Sequence, residues 1–309
     1  MDDLGVNVED GIGRILLTRP QAINALTSDM IDSLARILLD WAKDDDVHEV
    51  VISGLGRGFC AGADVREMRE MILHERADPV DFLSGEYALD RLIATYPKPY
   101  TARMQGIVMG GGMGVSIHGS RRLVTGWTSL AMPETIIGLW PDVGLTYHLS
   151  RLPGELGTYM ALTGSSITGQ LATLVGLTDE LFDDEVLDEE PMPYDWMAEA
   201  FAGNDIVTIL ERLESSDHPA AQQTAADIRA RAPLSVVVTL EAIRRAASMT
   251  LDEVFAQDLG LGAFFAQWPD FIEGVRAQLV DKDFAPRWVH GSVEEVSTEE
   301  VRTAFGTTG

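Results

Sequence analysis

Gly106-Ile107-Val108-Met109-Gly110-Gly111-Gly112-Met113-Gly114-Val115-Ser116-Ile117-His118-Gly119 is dense in glycine yet carries the aliphatic residues of a core. Three consecutive glycines let the backbone adopt conformations closed to other residues and approach a ligand closely. The aliphatic residues around them ask for burial. Together they predict a tight turn running into a buried helix. N–H groups at a helix N-terminus lack intrahelical partners and favour negative charge. The turn is therefore a candidate for gripping an oxygen that gains charge, although a glycine-rich connector alone does not fix a function.

Upstream of this stretch, strands and helices alternate. Gly5–Glu9 and Ile12–Thr18 flank the turn pair Asp10-Gly11 and read as a hairpin. Thr27 offers an N-cap to a helix over Ser28–Lys43, with Met30, Leu34, Leu38 and Trp41 at helical spacing. Glu49–Ser53 reads as a buried strand, Gly54–Gly62 as a loop and Asp64–Leu73 as a helix. A helix over Pro79–Tyr96, capped by Asp78, leads to a strand at Pro99–Met104. On that helix Glu86 falls within about 20° of Ile93 at 100° per residue, beside Phe82 and Leu89. An acid on an apolar face needs a partner or a ligand.

Downstream, Arg121–Thr125 and Ser129–Ala131 read as short strands, and helices dominate from Gly144 on, with Val237–Ala247 and Phe264–Val280 the clearest. The order predicts an α/β core over residues 1–205 and a helical region over 206–309. Two further segments carry candidate chemistry. Gly58-Phe59-Cys60-Ala61-Gly62-Ala63-Asp64 follows a strand and opens a helix. Met132-Pro133-Glu134-Thr135-Ile136-Ile137-Gly138-Leu139-Trp140-Pro141-Asp142-Val143-Gly144 places two acids in an apolar, Pro- and Gly-punctuated stretch, where a carboxylate gains basicity.

Composition narrows the field. With 309 residues and 46% hydrophobic content the chain can bury a large core. Its formal charge of −26 disfavours nucleic acid and anionic membranes as partners. No apolar run reaches the roughly 20 residues that span a bilayer. Met1-Asp2-Asp3 does not look like a leader, and the single cysteine makes no internal disulfide, so a cytoplasmic location is expected. Thr178–Glu190 carries eight acids and no base and reads as a solvated connector. Cys60 reads as a small buried thiol and His118 as a core histidine. His48, His74 and His148 show no metal-ligand spacing, so no metal is expected. Gly54-x-Gly56-x-Gly58 lacks the lysine and spacing of a phosphate loop.

Taken in order, Asn24-Ala25-Leu26, Phe59–Asp64, the triple glycine and Met132-Pro133-Glu134-Thr135-x-Ile137-Gly138 resemble the crotonase (enoyl-CoA hydratase/isomerase) superfamily. The resemblance is strongest to its 3-hydroxyisobutyryl-CoA hydrolase branch. It includes Gly110–Gly119, Pro141-Asp142-Val143-Gly144, Arg151-Leu152-Pro153-Gly154, Ala161-Leu162-Thr163-Gly164 and Asp270-Phe271-x-Glu273-Gly274-Val275-Arg276-Ala277 with Asp281-Lys282-Asp283, over roughly residues 5–290. It implies an α/β spiral of ββα units with a helical C-terminal region, assembled as a homotrimer or hexamer. The substrate implied is a short branched 3-hydroxyacyl-CoA of valine breakdown, hydrolysed to free acid and CoA. No cofactor is implied, because coenzyme A is part of the substrate.

Residue by residue, the resemblance implies that the Ala63 and Gly111 N–H groups form an oxyanion hole. Glu134 matches the catalytic glutamate shared by hydratases and hydrolases, Asp142 the second acid of the hydrolases, and Glu86 a substrate-contacting glutamate. Ala22, Asn24, Gly62 and Asp64 would line the coenzyme A channel. Related hydratases carry a second glutamate two residues past the triple glycine, where this chain has Gly114. That absence favours hydrolysis. A hydratase or isomerase using Glu134 alone, and a catalytically silent acyl-CoA-binding subunit, remain the alternatives. Whether Glu134 attacks the carbonyl or activates water is open at this stage. Within Leu177–Asn204 the acidic run and Pro191-Met192-Pro193 depart from the family's pattern.

Overall fold

The computed structural model describes residues 3–74, 79–183 and 194–306. By its internal contacts the chain forms two compact units, neither continuous in sequence: residues 1–64, 81–131 and 166–190 in one, and 65–80, 132–165 and 191–309 in the other. The chain thus passes between α/β and helical parts repeatedly, where the sequence suggested a single boundary near residue 205.

The first unit contains every strand among the described residues. In chain order these are β1 (Leu4–Glu9), β2 (Ile12–Leu17), β3 (Glu49–Gly54), β4 (Gly58–Cys60), β5 (Tyr100–Met104), β6 (Ile107–Met109), β7 (Arg121–Val124), β8 (Ser129–Ala131), β9 (Ile167–Thr168) and β10 (Glu180–Leu181). One sheet runs β1-β2-β3-β5-β7-β10, the other β4-β6-β8-β9. The β1–β2 hairpin is antiparallel, with Leu4 opposite Leu17, and its Asp10 and Gly11 both take positive φ (53° and 79°), as a two-residue hairpin turn requires. The pairs β2–β3, β3–β5 and β5–β7 are parallel. The Ser28–Lys43 helix buries Met30, Ile31, Leu34, Leu38 and Trp41, and Thr27 caps it by accepting from the Met30 N–H at 3.3 Å. Trp41 explains Gly13, where a Cβ would come within 2.6 Å of the indole ring.

The second sheet sets up the site. The strands β4 and β6 are parallel neighbours, and β6 pairs in parallel with β8. The glycine loops at 61–64 and 110–112 therefore leave adjacent strands at their C-terminal ends, where ligand loops of parallel sheets gather. The start of the acidic run is ordered rather than merely solvated. Its strand β10 extends the first sheet, the Asp179 carboxylate grips the Arg122 guanidinium at 2.6 and 3.1 Å, and Glu180 pairs with Arg121. The remainder of that run, the Pro191-Met192-Pro193 departure and the Asp78 cap lie outside the described residues.

The second unit is helical. The expected continuous helix over Phe264–Val280 is two elements. A helix over Leu251–Phe265 ends, Trp268 becomes an N-cap, and Pro269 opens a new helix over Pro269–Val275 that runs into a wider turn at Arg276–Val280. Proline lacks the N–H that would continue the first helix but suits the first turn of the second. The helix expected at Val237–Ala247 starts earlier, at Pro233, for the same reason. Among the described residues no helix is long and apolar enough to cross a membrane.

Candidate active site

In the first unit, Asn24 ties the site's base together. It is fully buried, and its Nδ2 donates to the carbonyls of Leu55, Gly58 and Phe59, each at 3.0 Å. Its Oδ1 accepts from the Arg19 N–H at 2.9 Å. A short ladder then joins the segment to the glycine loop: Ala61 N–H to Ile23 O, Leu26 N–H to Gly62 O and Asp64 N–H to Leu26 O, at 2.9, 2.8 and 2.7 Å. Those bonds use one side of the 61–64 strip. The Ala63 N–H is not among the donors, and neither is that of Gly111. The two loops touch: a Cβ on Gly62 would lie 3.2 Å from the Gly111 nitrogen, and one on Gly111 would lie 3.2 Å from the Ala63 nitrogen. Gly111 opens the Gly111–Ile117 helix, and Gly110 before it takes φ 51°. Two neighbouring N–H groups without backbone acceptors are what a developing oxyanion needs.

The Pro79–Ala94 helix lays its acids against this turn. Glu86 is 1% exposed and Asp90 fully buried, one helical turn apart. A Cβ on Gly111 would come within 2.0 Å of Glu86 Oε1, and a Cβ on Gly114 within 2.6 Å of Asp90 Oδ2. Asp64 sits at the loop's far end, bonded by Arg19 Nη2 at 3.1 Å. Ala22 closes the short turn Pro20–Ala22 before Asn24. The amide of Asn24 is thus engaged with backbone, so any part it has in a channel is one of shape. Asn24→Ala, which leaves the three carbonyls without their donor and puts alanine at φ 56°, is expected to destabilise the fold by about 2–4 kcal/mol in chemical denaturation.

In the second unit, Glu134 opens the single turn Glu134–Ile137 and is nearly buried. Backbone contacts lock the turn on several sides. The Ala232 N–H donates to Thr135 O at 3.1 Å, and Leu139 N–H to Glu134 O at 3.0 Å. Gly138 (φ 79°) meets the Asp270 backbone and Gly274 meets Ile137, each so closely that a Cβ would lie 2.5 Å from backbone atoms. The Asp270–Asp283 motif is thus scaffold for the Glu134 turn. Its Arg276 is held by Glu273, Asp281 and Asp283 at 2.8, 2.6 and 2.7 Å. Asp142 stands eight residues past Glu134, also nearly buried, just before Val143, which holds φ at 50°. Sequence reasoning missed Asp258. It is fully buried, accepting from Trp140 Nε1 at 3.0 Å and Gly144 N–H at 2.9 Å. Burial first, and then the charge of Asp142, push its carboxyl up to about 8 against those two bonds.

The sequence matches the family described as Enoyl-CoA hydratase/isomerase over residues 12–191 and 185–305. The chain belongs to that family. Among curated relatives, the "3-hydroxyisobutyryl-CoA hydrolase, mitochondrial" of Gallus gallus is 34% identical, covering 98% of this chain and 88% of the relative. The Homo sapiens protein of the same name is 33% identical, covering 96% and 86%. Among solved structures, an enoyl-CoA hydratase from Rhodobacter sphaeroides 2.4.1 has a TM-score of 0.93 at 34% identity, covering 98% of this chain and 97% of that one. A carnitinyl-CoA dehydratase from Mycobacterium thermoresistibile has 0.93 at 38%, covering 99% and 96%. The fold is crotonase-like α/β.

Within this hydratase/isomerase family member, Cys60 lies beside the oxyanion candidates but is closed off from solvent. It is fully buried, its Sγ donates to Asn24 O at 3.2 Å, and burial pushes the thiol up to about 12. The native protein is expected not to react with a thiol reagent at about pH 8, and to show its single thiol only after denaturation.

Proposed function

We propose that this chain hydrolyses the thioester of 3-hydroxyisobutyryl-CoA to the free acid and coenzyme A. One observation carries the choice of hydrolysis over hydration. A Cβ at position 114, two past the triple glycine, would come within 2.6 Å of the Asp90 carboxylate, so a side chain there requires Asp90 to shift. The second catalytic glutamate is absent from the sequence, and the Asp90 carboxylate stands where its side chain would begin. The curated relatives' name and near-full-length coverage support the acyl group.

The roles follow from the chemistry. The Ala63 and Gly111 N–H groups polarise the thioester oxygen and hold it as it becomes an oxyanion. Glu134 supplies the carboxylate that brings oxygen to the carbonyl carbon, by attack through a mixed anhydride or by taking a proton from water. Asp142 assists the departing thiolate or orients the substrate hydroxyl, and Glu86 contacts the acyl group. Backbone around Ala22, Asn24, Gly62 and Asp64 shapes the coenzyme A channel. Water is the only co-reactant, so no cofactor is required. A trimer or pair of trimers is the expected assembly.

The test is purified protein mixed with 3-hydroxyisobutyryl-CoA and a thiol reagent, for which buried Cys60 gives no background. Free thiol should appear enzymatically. Hydration of crotonyl-CoA without thiol release would replace this reading with the hydratase one. Acyl-CoA binding without turnover of either would replace it with a silent subunit.

A further inference from the structure

Asp258 is a buried acid that the reaction above does not use, and it touches the segment that carries Asp142. It lies on the Leu251–Phe265 helix, more than a hundred residues from its partners in sequence, and is 0% exposed. Its Oδ1 accepts from the Trp140 indole at 3.0 Å and its Oδ2 from the Gly144 N–H at 2.9 Å. Trp140 and Gly144 bracket Trp140-Pro141-Asp142-Val143-Gly144. A single carboxylate thus ties down both ends of this loop. Trp140 is itself clamped: it is 1% exposed and stacked on Phe265 at 5.1 Å. Phe265 stands seven residues along the same helix from Asp258, and so on the same face.

The loop needs tying because it is strained. Val143, β-branched and fully buried, sits at φ 50°, and Gly144 follows at 73°. A β-branched residue in the left-handed region is a genuine outlier, and it persists only where the surroundings over-determine it. Pro141 stiffens the loop before Asp142, and the Leu145 N–H closes it after by donating to Asp142 O at 2.9 Å. With the backbone fixed on both sides, the point from which the Asp142 side chain projects is set. The charges fit this arrangement. Burial first, and then the negative charge of Asp142 nearby, raise the Asp258 carboxyl, so the two acids sense each other.

We infer that Asp258 is a positioning residue for thioester hydrolysis: by bonding Trp140 and Gly144 it holds the strained loop and sets where the Asp142 carboxylate stands. The inference rests on the reading that Asp142 takes part in the reaction. Asparagine at 258 keeps the volume but turns an NH2 toward one of the two donors, which frees one end of the loop. Trp140→Phe keeps an aromatic ring against Phe265 and deletes the indole bond, together with part of the ring's buried volume.

The experiment measures kcat and KM for 3-hydroxyisobutyryl-CoA, with a thermal melt for each protein, in the full-length chain and its D142N, D258N, W140F and D142N/D258N variants. D258N is expected to lower kcat by about 10- to 100-fold, the scale of a misplaced catalytic group, with KM within about threefold of wild type. W140F should fall between wild type and D258N. The double variant should be no slower than D142N alone, because both changes act through one carboxylate. A wild-type kcat for folded D258N overturns the inference, as does a double variant slowed by the product of the single effects. If D258N does not fold, W140F decides: slow turnover with an intact melt supports the positioning role, and wild-type turnover overturns it. Failure of the underlying reading looks different. There D142N itself turns over at the wild-type rate, which removes the route through Asp142 whatever D258N does.

Discussion

Glu134→Gln is expected to lower turnover by about 10²-fold or more, the scale of a lost general base, while leaving the melting temperature close to wild type. Glutamine has the same shape and can occupy the same place on the Glu134–Ile137 turn. That turn is held by backbone: Ala232 to Thr135, Leu139 to Glu134, and the close approaches at Gly138 and Gly274. Those backbone contacts are unchanged by the substitution, so the turn stays in place while the carboxylate's chemistry is removed. It also blocks both routes open to Glu134, since an amide neither attacks a thioester nor takes a proton from water at neutral pH. Single-turnover hydrolysis in ¹⁸O-water separates the two for the wild-type enzyme. Label in the Glu134 carboxylate after the first turnover identifies an anhydride opened by water at the glutamyl carbon, and direct attack of water on the thioester leaves none there. If Glu134→Gln shifted the melt and left kcat unchanged, the residue would be structural and the proposed function would lose its central group.

Much of the fold was legible because local signals agreed. The Asp10-Gly11 hairpin, the Thr27-capped helix and the parallel strands β3 and β5 each had turn chemistry, capping and periodicity pointing the same way. Among the misread elements, which include the strands β4 and β6 inside glycine-rich stretches, the expected Phe264–Val280 helix had two signals in conflict. Apolar spacing ran through Phe264–Val280, but Pro269 ended it, and the proline decides because a missing N–H cannot be compensated by periodicity. Glu86 was readable from its angular position, and it is buried as that position requires. Asp90, one turn further along the same face, carried the same signal, and i,i+4 spacing would have found it. Asp258 could not be found this way. It is one acid among several on an ordinary helix, and its meaning comes only from bonds to Trp140 and Gly144, 118 and 114 residues away. The C-terminal motif around Gly274 was visible as a resemblance, but its purpose, backing the Glu134 turn, exists only in three dimensions.

Gly111→Val is the second large effect, expected to cost about 10²- to 10³-fold in kcat, the range for a lost oxyanion-hole donor. The physical cause is space and direction together. The added Cβ would come within 2.0 Å of Glu86 Oε1 and 3.2 Å of the Ala63 nitrogen. Glu86 is buried on the Pro79–Ala94 helix with Phe82, Leu83, Tyr87 and Leu89, so its carboxylate has little freedom to retreat. The Gly111 backbone must give way instead, and its N–H swings off the line it shares with that of Ala63. An oxyanion then keeps one donor of two, in a transition state where both are needed more than in the ground state. KM should therefore change less than kcat. Gly260→Ala is the matching control, because a Cβ there meets nothing within 4 Å and the residue lies inside a helix, where alanine is favoured. That variant should keep wild-type kcat and melt slightly higher. Equal losses of kcat in the two variants would show that activity tracks general disturbance of the fold. A loss confined to Gly111→Val, with circular dichroism unchanged, ties it to the Gly111 turn and the Glu86 carboxylate packed against it.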